Sequence, residues 1–204
     1  MINTIYVIAG PTATGKSYLS INLANKVNGV VINSDSMQVY KNLEILTARP
    51  SSKEMKNIDH YLFGFVDGNE RYNVERWCND AAEIIKKTSA NNLTPILVGG
   101  TGLYINTLIN GLIDLPSIPE TFKIESEKIL KEFGKDFLIN KIKNSDPDSL
   151  KDINHNDTSR LRRIWEVFES TGKKFSEWKL NKNKKFIKNY NVKILLFLPD
   201  REKN

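Results

Sequence analysis

With 204 residues, 40% of them hydrophobic and 26% charged, the chain can bury a proper core, and its composition excludes a fibrous repeat, wholesale disorder and a disulfide-stapled miniprotein. No run approaches the roughly 18 uninterrupted apolar residues of a membrane span, and no positive stretch precedes an apolar segment at the start, so no membrane partner is expected; the lone Cys78 fits a reducing compartment, with the cytoplasm as the expected location. The net charge of +6 is uneven: residues 1–114 hold 10 Lys and Arg against 10 Asp and Glu, and residues 115–204 hold the other 20 against 14. Charge alone does not separate a polyanion-binding second half from a lysine-rich composition.

In chain order, Ile5-Tyr6-Val7-Ile8-Ala9 is a continuous apolar run of β-formers, as in a strand buried on both faces of a parallel sheet. A glycine-rich turn follows, then Leu19, Leu23, Ala24 and Val27 recur at helical spacing until Asn28-Gly29. Val30 to Asn33 reads as a second strand. Behind Asn73 as N-cap, Val74, Trp77, Cys78, Ala81, Ala82 and Ile85 keep a helical rhythm, and Pro95-Ile96-Leu97-Val98 supplies another buried strand. A second strand-to-turn transition at Gly99-Gly100-Thr101-Gly102 leads into a helix from Leu103 to Leu112. After Leu115-Pro116-Ser117-Ile118-Pro119 the texture changes to charged amphipathic helices, with no strand until Val192 to Leu198. The expected fold is α/β: a P-loop NTPase-like parallel sheet flanked by helices, made by residues 1–114 and 190–204, with an all-helical insertion over 115–189.

Gly10-Pro11-Thr12-Ala13-Thr14-Gly15-Lys16-Ser17 satisfies G-x-x-x-x-G-K-[ST] directly after a strand and at the start of a helix. In that setting the glycines let backbone N–H groups converge on an anion, Lys16 brings a full charge to it, and Ser17 is placed to ligate Mg²⁺. An NTPase of this kind commonly carries an acid at the end of a later apolar strand, but Val98 runs into Gly99 instead. The candidate acid is Asp35, just past the second strand, where ligands gather at the carboxyl ends of a parallel sheet. It reads as a base, a metal ligand or simply a turn cap, and Thr101 reads equally as the N-cap of the next helix.

The combination of G-P-T-A-T-G-K-S with D-S-M-Q-V-Y (Asp35–Tyr40), T-A-R-P (Thr47–Pro50) and G-G-T-G-L-Y (Gly99–Tyr104) resembles the tRNA dimethylallyltransferase, or tRNA isopentenyltransferase, family. Asp59-His60-Tyr61-Leu62, Tyr72-Asn73-Val74, Asp146-Pro147 and Asn156 to Arg163 extend the match over nearly the whole chain. The resemblance implies transfer of a dimethylallyl group from dimethylallyl diphosphate to the exocyclic amine of the adenine next to the anticodon, with release of diphosphate. By the same token the loop Gly10–Ser17 would hold the diphosphate with Mg²⁺ on Ser17, Asp35 would be the general base, and Thr101 would contact the substrates. Ser36, Met37 and Gln38 would help hold the extruded adenine, Gln38 suiting its paired donor and acceptor. The insertion would grip the anticodon stem-loop through Ser159, Arg160, Leu161, Arg162 and Arg163, with Lys123 as a further contact.

Within the helix after Asp157, Leu161, Ile164, Trp165 and Phe168 form an apolar face with Arg160 and Arg163 on its flank. Family members continue beyond Leu198-Pro199-Asp200-Arg201 into a helix with a further active-site arginine, so a fragment or truncated product is expected, and Arg201 lies too early to be that arginine. The alternatives are a P-loop small-molecule kinase, a prenyltransferase acting on free adenylate, and a non-catalytic tRNA-binding fragment. The chain is expected to be a monomer.

Overall fold

The computed structural model describes residues 3–198; Arg201 and the last residues of the 190–204 segment lie outside the described residues. The chain divides into two compact units, residues 1–112 with 185–204, and residues 113–184.

The first unit contains strands β1 (Asn3–Ala9), β2 (Gly29–Asn33), β3 (His60–Tyr61), β4 (Thr94–Gly99) and β5 (Tyr190–Leu196), with helices α1 (Lys16–Val27), α2 (Ser52–Met55), α3 (Val74–Ala90) and α4 (Gly102–Asn110) between them. All four strand pairings are parallel and the sheet order is β3-β2-β4-β1-β5. Alternation along each strand divides its side chains between two helical layers. Ile5, Val7, Val30, Ile32 and Leu97 pack with Trp77, Cys78, Ala81 and Ile85 of α3 and with Tyr104, Ile105 and Leu108 of α4. On the opposite face Ile8, Val31, Ile96 and Val98 pack with Ala24, Leu19, Leu23 and Val27 of α1. This is the expected α/β sheet covered on both sides, and it puts the loops after β1, β2 and β4 at one carboxyl edge.

Local chemistry accounts for several boundaries. Asn73 caps α3 by accepting from Arg76 N at 2.9 Å, and Asn28 ends α1 in the left-handed region at φ +50°. Ser51 and Glu54 form a reciprocal capping box that makes a stable turn of the short α2. Lys185 donates to the carbonyl of Asn110 at 2.9 Å, tying the start of the returning segment to the end of α4. Among the described residues no helix is long and apolar enough to cross a membrane.

The elements of the second unit are four helices: α5 (Glu120–Ser145), α6 (Pro147–Lys151), α7 (Thr158–Thr171) and α8 (Phe175–Lys179). Gly134, at φ +76°, breaks α5 into two runs. Leu138 and Ile142 of α5 pack with Leu150, Leu161, Ile164 and Trp165. Asp146 is fully buried in this unit; it accepts from Ser149 N and Oγ and from Ser176 N and Oγ. Burial pushes its carboxyl up, but these four hydrogen bonds outweigh burial and hold it below the usual carboxylate range.

Candidate functional site

The loop between β1 and α1 depends on two glycines. A Cβ on Gly10 would lie 2.6 Å from the carbonyl oxygen of Phe197, so only glycine lets the chain leave β1 here. Gly15 adopts φ +81° and opens α1 with no side-chain cap, which leaves the first-turn N–H groups of the helix as donors for an anion. Thr14 Oγ1 donates to the carbonyl of Pro11 at 3.0 Å. Lys16 Nζ folds back onto the same carbonyl and lies 3.4 Å from Thr14 Oγ1. Burial pulls the Lys16 ammonium below the usual lysine range, and the negative charge of Asp35 opposes that shift.

Past β2, the chain turns on Asp35. Its Oδ1 accepts from Met37 N at 2.8 Å and from Gln38 N at 3.4 Å. The turn-capping reading of this residue therefore holds for Oδ1, and among the described residues no hydrogen bond reaches Oδ2. Thr101 stands in the N-cap position of α4 but its side chain does not cap the helix. Instead Thr101 Oγ1 accepts from Ser36 N at 2.9 Å and lies 3.2 Å from Ser36 Oγ, so it ties the β4 loop to the β2 loop. The two loops touch closely: a Cβ on Gly99 would come within 2.4 Å of the Ser34 carbonyl carbon.

The loop residues Thr12 to Ser17 and, in the loop after β2, Asp35 and Gln38 line one cleft of about 150 Å³, together with Thr47, Ala48, Val98 and Gly99. Gln38 Nε2 donates to the carbonyl of Thr47 at 2.8 Å, which uses one of the two N–H groups of the amide. Thr47 and Ala48 belong to the T-A-R-P stretch, to which the sequence reading attached no role. Ala48 adopts φ +48°, and the next residue, Arg49, is fixed by the Tyr40 carbonyl at 3.1 Å and by Glu44 at 3.0 Å. The signal that could have found them is the proximity of T-A-R-P to D-S-M-Q-V-Y, since a short excursion between neighbouring strands must return over the same edge. Met37 is exposed.

No group of three or more His, Cys, Asp or Glu side chains that could hold a metal occurs among the described residues. A magnesium ion at a phosphate site needs only one or two protein oxygens beside the phosphate's own, and the hydroxyl of Ser17, which lines this cleft, fits that need.

In the second unit, Asp157 caps α7 by accepting from Arg160 N at 3.1 Å. The arginines of α7 differ. Arg160 is 67% exposed and paired with Asp157, whereas Arg162 turns inward, donating from Nε to Ser126 Oγ at 2.9 Å and from Nη2 to the Lys123 carbonyl at 3.1 Å. Arg163 is partly exposed, 3.9 Å from the buried Glu166. Leu161 departs from the expected tRNA contact: it is fully buried in the helical core, where an apolar side chain belongs. Lys123 pairs with Glu120 at 2.7 Å, and Ser159 is exposed.

The sequence profile of the IPP transferase family matches residues 38–204, and that of isopentenyl transferases matches residues 3–64. The chain belongs to the IPP transferase family. A tRNA dimethylallyltransferase of Hyphomonas neptunium is 42% identical over 172 residues, covering 84% of this chain and 54% of the relative. One from Rhizobium etli is 38% identical over 200 residues, covering 98% and 67%. A crystallised eukaryotic dimethylallyltransferase acting on tRNA superposes with a TM-score of 0.81 at 36% identity, over 95% of this chain and 48% of that one. The tRNA isopentenylpyrophosphate transferase of Staphylococcus epidermidis gives 0.59 at 31% identity, over 98% and 65%. Against the first of these IPP transferases the present chain spans a little over half the length.

Proposed function

We propose that this chain transfers a dimethylallyl group from dimethylallyl diphosphate to the exocyclic amine of the adenine 3′-adjacent to the anticodon of a tRNA. The observation that carries the reading is the single cleft lined by both the anion-binding loop and Asp35. The loop N–H groups, the α1 N-terminus and Lys16 would bind the diphosphate and neutralise the charge that grows on it as the allylic carbon–oxygen bond breaks. Adenine's amine is a weak nucleophile because its lone pair is delocalised into the ring. Asp35 would accept one amine proton as the nitrogen–carbon bond forms, and the electron pair of the broken bond leaves with the diphosphate. Ser17 would hold Mg²⁺, which when bound supplies further charge neutralisation to the leaving diphosphate.

Presenting that amine requires the base to leave the anticodon-loop stack at a cost of roughly a few kcal/mol. Ser36, Met37, Gln38 and Thr101 would receive it, while Arg160, Arg163, Ser159 and Lys123 of the helical unit would hold the surrounding stem-loop, with Arg162 supporting them from within. We read the protein as monomeric and cytoplasmic. Cys78 fits that setting, being buried, with its thiol pushed up to about 12 by burial and by Glu75, and therefore inert toward disulfide exchange. Incubation with labelled dimethylallyl diphosphate and either unmodified tRNA or AMP tests the proposal. Label is expected in the anticodon-adjacent adenine; label in AMP alone, or ATP-dependent phosphorylation of a metabolite without prenyl transfer, would contradict it.

A further inference from the structure

Asn33, the last residue of β2, has no exposed surface, and its side chain is committed to one task. Its Oδ1 accepts from Asp35 N at 2.8 Å, and its Nδ2 donates to Asp35 O at 3.0 Å and to Leu62 O, just beyond β3, at 3.0 Å. Both N–H groups of the amide and one lone pair are thereby used. The backbone of Asn33 is held in turn: Trp77 Nε1 of α3 donates to its carbonyl at 2.9 Å, and that indole stacks on Tyr104 of α4 with centroids 4.7 Å apart. A buried amide is a costly way to fill a sheet position unless its hydrogen bonds do something an aliphatic side chain could not. Here they grip Asp35 by both of its main-chain polar groups, so the direction of its Cα–Cβ bond is fixed by α3, β2 and the end of β3 together.

We propose that Asn33 is a positioning residue for prenyl transfer, clamping the backbone of Asp35 so that its carboxylate is held at the diphosphate cleft. The role rests on the reading of Asp35 as the base. Serine at position 33 could still accept from Asp35 N, more weakly, but lacks the two donors; alanine lacks all three bonds. The order asparagine, serine, alanine is therefore the order of declining grip.

Asn33→Ser and Asn33→Ala in the full chain, with Asp35→Asn beside them, test this by two readouts. Amide hydrogen exchange of residues 34–38 is expected to quicken roughly tenfold in Asn33→Ala, as loss of about one to two net hydrogen bonds allows, and less in Asn33→Ser, with β1 and β4 unchanged. In tRNA prenylation kcat should fall in the same order, to roughly one hundredth for alanine, the loss expected of a base displaced by about 1 Å, while KM for dimethylallyl diphosphate stays within about twofold. Unaltered exchange at 34–38, protection lost equally from β1 and β4, or a fall in kcat matched by a rise in KM would overturn the positioning role. Asp35→Asn at the unsubstituted rate would instead overturn the base assignment, and its exchange pattern, unchanged from the parent, marks that failure as separate from a failure of the clamp.

Discussion

Asp35 uses one carboxylate oxygen to hold its own turn, and the proposed reaction needs the other as proton acceptor, so the choice of substitution matters. Asparagine retains an oxygen that can accept from Met37 N and Gln38 N but cannot take a proton. Asp35→Asn is therefore expected to keep the fold and tRNA binding while lowering single-turnover transfer by roughly 10²- to 10⁴-fold. The same substitution reports on the cleft through Lys16. Burial favours the neutral amine and the Asp35 carboxylate favours the ammonium, so in an NMR titration of the lysine Cε, Lys16 should lose its proton at a lower pH than an ordinary lysine. Removing the charge of Asp35 should lower that pH again; a titration unmoved by Asp35→Asn would mean the two groups do not feel each other. At this scale much was legible: the phosphate loop from its own spacing, and Asp35 from its place after a buried strand. The sequence offers Thr101 as a helix cap or, through the resemblance, as a substrate contact, and nothing in it reveals that its hydroxyl meets Ser36, 65 positions away. The inward turn of Arg162 was likewise hidden, since it depends on Ser126 of another helix.

Among the elements, the contact between the loop after β2 and the end of β4 admits little change. Gly99 sits against the backbone of Ser34, which cannot move without taking Asp35 with it. Gly99→Ala should cost about 1–3 kcal/mol by overpacking, seen as a lower urea midpoint with an unchanged slope; an unchanged midpoint would show that the loops have room to part. Strands β1, β2 and β4 and helices α1, α3 and α4 could be read from the sequence because each carries a strong apolar period or a continuous buried run. Strand β3 could not, for two residues have no period, and His60–Tyr61 pair with β2 only because the chain passes there. The apolar run Val192 to Leu198 reads as a strand, but its place in the sheet does not. In the structure β5 forms the sheet edge, where Ile194, Leu195 and Leu196 are 59%, 50% and 55% exposed, because coverage depends on what packs alongside rather than on the strand's own residues.

For the molecule as a whole, the surplus of positive charge belongs to the later part of the sequence, and the geometry of α7 sorts it residue by residue. Arg160 stands out in solvent while Arg162 is held by Ser126 and the Lys123 carbonyl. Arg160→Ala should weaken tRNA binding and flatten the salt dependence of log K by about one, the signature of one lost phosphate contact. Arg162→Ala should leave that slope nearly alone and lower stability by about 1.5–3 kcal/mol, the range for hydrogen bonds from a charged donor; equal slope changes from both substitutions would remove the distinction. The account depends most on one arrangement: proton acceptor and departing anion share a cleft. Single-turnover transfer from labelled dimethylallyl diphosphate to unmodified tRNA, measured beside inorganic diphosphate affinity in the parent chain and in Asp35→Asn, tests it most directly. The predicted result is label in the anticodon-adjacent adenine for the parent, transfer lost from the variant, and diphosphate affinity the same within about twofold; transfer by Asp35→Asn at the parental rate would contradict it.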